Sequence, residues 1–289
     1  MLTERQKHWG IDQWAAFLTV QNIPCMPSTK LLLSVLEEAQ GDELSASHLT
    51  TLVISDPYFC LRLLREAEKR RSQNLGHDTT TPLGAVMQVG FKVFRGLLLS
   101  SPEADENNPG LVACEERAVM ASQLAQIWGA ARADIAPAEV AMAALLAEIG
   151  ELLLWHFAPE LPQAAQEALE KGRATRSADA QQHACGFRFR DLSLKCATVW
   201  RLPPLLIQLI RGVENTRANL CKLYLDTARH LVAGPDNPAL PDDLAKAKRL
   251  IPGASLEWLA AQLAGLDEQR QAAVVEAAQW ILGQEHQEF

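Results

Sequence analysis

Glu148 and Glu151 are the two residues of this sequence best spaced for acid–base chemistry, because side chains three apart on a helix project to the same side. With Arg117 available to neutralise one of them, and no nucleophile or ligand beside them, they read more simply as an ion pair plus a solvated carboxylate. The seven histidines, His8, His48, His77, His156, His183, His230 and His286, are scattered. No two stand at the four-residue spacing that would aim two imidazoles at one metal, and His183 and Cys185, two apart, suit neither face of a helix. The six cysteines (Cys25, Cys60, Cys114, Cys185, Cys196, Cys221) form no CxxC pair and sit among apolar or small residues, as reduced core thiols do. No zinc, redox or other metal site is therefore expected, and no cofactor.

Phosphate-cradling GxGxxG and GxxxxGK[ST] loops are missing, as is the GxSxG elbow of serine hydrolases. Gly90 and Gly96 flank FKVFR within a helical pattern instead. A basic run, Arg62, Arg65, Lys69, Arg70 and Arg71, closes a helix, where cations complement the negative end of the dipole. A looser set, Arg173, Arg176, Arg188 and Arg190, reads as solvated surface, with the capacity to hold a phosphate or an acidic partner through charge-assisted hydrogen bonds.

The elements that must position these residues are helical. Apolar residues recur at three- and four-residue spacings almost throughout, and strict alternation of strand type is absent, so the fold class is all-α. The spacing predicts helices near 11–21, 28–40, 46–55, 57–71, 82–89, 91–101, 113–131, 137–157, 160–171, 177–185, 191–200, 203–213, 217–233, 241–250, 255–265 and 268–283. Asp56-Pro57 and Ala136-Pro137 place proline at a first helical position, while Ser45 and Ser255 precede apolar-periodic runs as caps. Trp128, Trp155, Trp200, Trp258 and Trp280 fall at apolar helical positions and read as core or interface anchors.

The chain has 289 residues, 48% of them hydrophobic and 21% charged, enough for a sizeable core. Its net charge of −8 and pI ≈ 5.4 supply no basic footprint for nucleic acid or an anionic bilayer. The most apolar run, 141–157, is broken by Glu148, Glu151 and His156 and is too short to span a membrane; the MLTERQKHWG start carries no signal core, so a cytoplasmic location is expected. Polar, Pro and Gly residues at 101–110 (SPEADENNPG) and 234–241 (GPDNPALP) divide the chain into 1–105, 106–234 and a C-terminal helical extension, 235–289.

Three stretches in order, IPCMPSTKLLLSVLEE (23–38), LVISDPYFCLRLLREA (52–67) and LLAEIGELLLWHFAPE (145–160), resemble the HDOD family, helical bacterial signalling modules distantly related to HD-type metal phosphohydrolases. VWRLPPLLIQLIRG (199–212) is similar to that family's W-x-L-P segment. The resemblance covers about 20–230. It implies an HDOD-type multi-helical fold with an N-terminal helical subdomain (1–105) and an HD-like helical subdomain (106–234).

The resemblance also implies where an HD phosphohydrolase would hold its metal: the His-Asp pair falls on Ala147 and Glu148, an earlier histidine on Arg117 and a later one on Phe189. Methyl, guanidinium and phenyl groups donate no lone pair to a divalent ion, which leaves Glu148 alone. The expectation is a non-enzymatic regulatory or adaptor protein whose partners are other signalling proteins, with Arg117 and Glu148 forming a salt bridge where the metal would be. The alternative is a sensor of a nucleotide or cyclic dinucleotide using Arg117, Arg188 or Arg190; a residual metal-dependent phosphohydrolase is the third reading.

Overall fold

The computed structural model describes residues 2–41, 44–74 and 79–285, and among them every regular element is a helix, a single parallel bridge between Cys25 and Glu103 aside. His77 and His286 lie outside the described residues. The first group comprises α1 (Ile11–Thr19), α2 (Pro27–Gln40), α3 (Ala46–Ile54), α4 (Pro57–Asn74), α5 (Pro82–Val89) and α6 (Phe91–Leu99). The middle group is α7 (Pro109–Gly129), α8 (Pro137–Leu146), α9 (Ile149–Phe157), α10 (Glu160–Glu170), α11 (Ser177–Cys185), α12 (Phe189–Val199), α13 (Pro204–Arg211) and α14 (Thr216–Ala233). The last is α15 (Leu240–Leu250), α16 (Leu256–Ala261) and α17 (Glu268–Glu285).

Local chemistry sets the starts. Unpaired N–H groups of a first turn need acceptors, and proline lacks the N–H that would otherwise be orphaned there. Asn108 accepts from Gly110 N and Leu111 N ahead of Pro109, Ser45 accepts from His48 N, and Ser255 accepts from Trp258 N. Asp56 does more than cap. Its Oδ1 accepts from Phe59 N at 2.9 Å, while Oδ2 accepts from Met26 N at 2.7 Å and Thr29 Oγ1 at 2.8 Å, so one fully buried carboxylate stitches the start of α2 to the start of α4. The Ser55-Asp56-Pro57 element is thus a structural rivet.

The helix expected over 137–157 is two helices. It breaks at Ala147–Glu148, where Glu148 leaves helical dihedrals (φ −99°, ψ 27°), and the axes of α8 and α9 differ by 40°. The apolar period runs through the break unchanged; what distinguishes it is a tertiary tether on the Glu148 side chain. Just beyond, α9 approaches α12 so closely that a Cβ at Gly150 would stand 2.7 Å from both Phe189 O and Ser193 N. Gly150 N donates to Ser193 Oγ at 2.9 Å, and Ser193 Oγ donates to Phe189 O at 3.0 Å, so the contact is a hydrogen-bonded seam as well as a tight fit.

The C-terminal helices are tied to the rest by Trp128 Nε1, which donates to Leu259 O at 3.3 Å, and by His230 Nδ1 on α14, 2.5 Å from Asp243 Oδ2 on α15. Trp128 is fully buried and Trp155 and Trp200 nearly so, but Trp258 and Trp280 are 38% and 66% exposed, so these two do not anchor the core. All six cysteines are free thiols, five of them buried. No single helix among the described residues is long and apolar enough to cross a membrane.

The Gly150 seam predicts that Gly150→Ala lowers stability by about 1–3 kcal/mol, because backbone rather than a flexible side chain must yield. Gly96→Ala, inside α6 with nothing within 4 Å of the new methyl, gains about 0.5–1 kcal/mol. Denaturant midpoints at unchanged m-value read both.

Candidate functional site

Helix α7 passes over the beginning of α9 and presents Cys114 and Arg117, one turn apart, to it. The Arg117 guanidinium lies 3.3 Å from Glu148 Oε2 and 3.1 Å from Glu151 Oε1. From α14, Arg229 Nη2 donates to Glu148 Oε1 at 3.0 Å while its Nη1 donates to Asp226 at 3.0 Å. Each oxygen of Glu148 therefore faces a different arginine, and three helices meet on one carboxylate. Trp155 Nε1 donates to Glu151 Oε1 at 3.4 Å, and the Trp155 ring lies against Gly110, where any Cβ on the α7 backbone would overlap it. Asn108 Nδ2 holds Trp155 O from the same side.

The charges behave differently according to their partners. Desolvation works to raise the Glu148 pKa, but Arg117 and Arg229 outweigh it and hold the carboxyl below its ordinary value. Glu151 goes the other way: desolvation and the adjacent Glu148 charge raise it, against the pull of Arg117. Burial likewise opposes the Arg117 charge, yet Cys114, Glu148 and Glu151 keep its pKa above the usual value. The cluster settles into one firmly ionised carboxylate between two guanidiniums, with a second carboxyl that retains its proton more readily.

Cys114, Glu148 and Glu151 bring their donor atoms within 4.8 Å of one another, the sole such trio of His, Cys, Asp or Glu among the described residues. The donor set does not suit a divalent ion. Burial pushes the Cys114 thiol far above its usual pKa, so it keeps its proton, and a thiolate is what binds a metal. Arg117 already supplies the positive charge to both carboxylates at hydrogen-bond distance, where a metal would face direct repulsion.

Above this cluster opens a cleft of about 1250 Å³ walled by α7 and by α9 through α14. Arg117, Ala147, Glu148 and Phe189, far apart in the chain, all line it, so the four positions picked out by the HD comparison are brought together. Phe189 is buried, with its N–H donating to Gln181 Oε1 at 2.9 Å. Of the arginines considered for anion binding, Arg117, Arg188 and Arg190 line the cleft; Arg173 and Arg176, between α10 and α11, do not. Arg190 Nε is committed to Ile210 O, and its guanidinium lies against Gly212, whose φ of +72° and missing Cβ make room for it.

Arg229 is the residue that sequence reasoning missed. Its partner is 81 positions away, and the only local signal was Asp226 three residues earlier, which any surface ion pair would give.

Among the described residues the architecture is all-helical, one bridge aside. The HDOD domain pattern matches residues 23–216, more than half of the sequence, and the chain belongs to the HDOD family. Solved structures of similar fold include the MmoQ response regulator of Methylococcus capsulatus, at 20% identity and a TM-score of 0.64 over 89% of this chain and 99% of that one. A virulence factor of Campylobacter jejuni is similar at 15% identity, with a TM-score of 0.70 over 90% of this chain and 100% of its own. No curated protein matches the sequence.

The two carboxyls respond oppositely to substitution and pH. Glu148→Gln leaves the largely buried Arg117 and the half-exposed Arg229 short of their counter-ion and costs about 1–3 kcal/mol, the lower end reflecting solvent screening at Arg229. Glu151→Gln mimics the protonated form and is near neutral. Because the folded pKa of Glu151 lies above its unfolded value, the native state holds more protons between the two, and stability falls as pH rises through that window. Glu148, with a lowered folded pKa, contributes stability above its unfolded pKa that is lost as pH falls through the folded one. Chemical denaturation from about pH 2 to 8 shows the alkaline-side decline flattened in Glu151→Gln and the acid-side loss reduced in Glu148→Gln.

Proposed function

We propose that this protein is a non-catalytic regulatory component of a bacterial signal-transduction system, working in the cytoplasm through contacts with other signalling proteins. One observation carries the reading: Arg117 sits within 3.3 Å of Glu148 and 3.1 Å of Glu151, among the positions that the resemblance to HD hydrolases implies for their metal. Hydrolysis of a phosphate ester on such a scaffold requires a metal-activated water, and a guanidinium has no open coordination position to supply one. Among the described residues no histidine lines the cleft. The name of the similar MmoQ protein, a response regulator, is in keeping with a signalling role.

The second reading gives the same cleft a nucleotide or cyclic dinucleotide, and the volume of about 1250 Å³ favours a ligand of some kind. Against it, Arg117 is spent on two glutamates and Arg190 on a backbone carbonyl, which leaves Arg188 alone of the three arginines it calls on.

Incubated with Mn²⁺ or Mg²⁺ and phosphomonoester and phosphodiester substrates, the purified protein releases no phosphate above a heat-inactivated control. Equilibrium dialysis against Mn²⁺ finds no stoichiometric site, and affinity purification from the host recovers a signalling protein in comparable amount. Metal-dependent turnover that disappears in Glu148→Ala would overturn the reading.

A further inference from the structure

We propose that the pocket where α4 meets the turn between α12 and α13 is a binding site for a small organic carboxylate, with the Arg201 guanidinium as the group that receives its charge. This pocket shares no lining residue with the cleft over Arg117.

Helix α12 ends in an unusual way. Arg201 N donates to Thr198 O at 3.2 Å and Leu202 N donates to Ala197 O at 2.9 Å, a pair of bonds that calls for a left-handed residue just past the helix. Two other helices close with the same pair of bonds, α10 at Gly172 (φ +64°) and α13 at Gly212 (φ +72°). Where those two use glycine, α12 uses Arg201 at φ +51°, the one non-glycine residue of positive φ among the described residues. A Cβ makes that conformation costly, and glycine relieves it. Within the fold the Arg201 side chain gains little in return. Its one ion pair among the described residues is with Glu68 Oε1 at 3.8 Å, beyond hydrogen-bond length, and the side chain is 69% exposed. Backbone strain without a compensating contact points to a task other than folding.

The pocket supplies that task. Arg201 lines it together with Glu68 and Arg71 of α4. Trp200, the preceding residue, pins the turn in place: its Nε1 donates to Thr19 O at 3.3 Å, and the Arg65 guanidinium of α4 lies 4.8 Å over its ring. The charges in the pocket are close together and unequal. Arg71 holds Glu68 through bonds of 2.6 and 2.7 Å, and the same carboxylate lies 3.8 Å from Arg201. Two guanidiniums against one carboxylate leave the lining one positive charge in excess, and a single further anionic group balances it. A carboxylate carries that one charge at neutral pH, whereas a phosphate monoester carries about 1.5 to 2. Its two oxygens also match the fork of a guanidinium. Leu64, Pro203, Pro204 and Ile207 give the ligand's body an apolar wall. The volume of about 290 Å³ stands near the lower end of the roughly 300–1,000 Å³ typical of ligand sites, so that body is compact. Because α4 belongs to the first helical group and α12 and α13 to the middle one, an occupant touches both.

The test is isothermal titration of the full chain, at low salt and neutral pH, with benzoate as the probe, benzamide as its uncharged counterpart and acetate as the head group without the body. Benzoate is expected to bind saturably and to raise the melting temperature, with the other two at least about fivefold weaker. Arg201→Gly weakens benzoate by about fivefold or more, and in the ligand-free protein it raises the melting temperature by about 1–3 °C as the left-handed strain is relieved. Glu68→Gln removes the carboxylate that competes for the two guanidiniums and tightens benzoate by about threefold. Arg173→Ala, which removes one positive charge just past α10 and outside the pocket, leaves it within about twofold. The proposal is overturned if benzoate does not bind, if benzamide binds as tightly, if Arg201→Gly and Arg173→Ala weaken benzoate equally, if Arg201→Gly lowers the melting temperature, or if Glu68→Gln weakens binding. None of these outcomes touches the non-catalytic reading, which metal-dependent phosphate release alone would sink.

Discussion

The Arg117 guanidinium, held between two carboxylates, is the contact on which the middle of the molecule depends. Charges taken out of water must be matched at hydrogen-bond distance or they destabilise the fold by several kcal/mol. Here the matching draws on three separate helices: α7 gives Arg117, the start of α9 gives Glu148 and Glu151, and α14 gives Arg229. Their relative positions follow from it. So does the break between α8 and α9, since Glu148 must turn out of helical register for each of its oxygens to meet its own arginine. The open cleft lies directly over this arrangement.

Around that centre the recognisable segments serve packing. Asp56 ties α2 to α4 through three donors; Gly150 lets α9 and α12 touch through their backbones; Asn108 caps α7 and holds Trp155. None of these groups is free to react.

Much of this was legible in the sequence because it is written in short-range signals. The 3.6-residue period gave the helices, Asp56-Pro57 and Ala136-Pro137 gave two of their starts, and the I-S-D-P and L-L-x-x-I-G-x-L segments pointed to the family and to Arg117, Ala147, Glu148 and Phe189, which the fold gathers along one cleft. The rest depended on contacts distant in the chain. Nothing near Glu148 announces a helix break, because AALLAEIGELLLWHF keeps its apolar period across it. Arg229 looks like an ordinary surface cation of α14 until its partners are seen. Arg173 and Arg176, close to Arg188 in sequence, do not line the cleft, although Ser177, the next residue in the chain, does. Trp280 has the spacing of a core residue but lies on the outer side of the last helix, where no further element covers it among the described residues.

Gly150 carries a wider lesson about what a sequence signature records. In the L-L-x-x-I-G-x-L segment it sits beside the position where a related enzyme would coordinate its metal, and it could be taken as a remnant of that chemistry. Its environment shows that it is a spacer, required by two backbones at 2.7 Å from an absent methyl. A substitution there is punished through folding, whereas Ala147 and Arg117 next to the same centre answer to no such steric demand. Packing alone can therefore demand the signature, and membership of this family is evidence of shared architecture first and of shared chemistry only where the ligand atoms themselves are present.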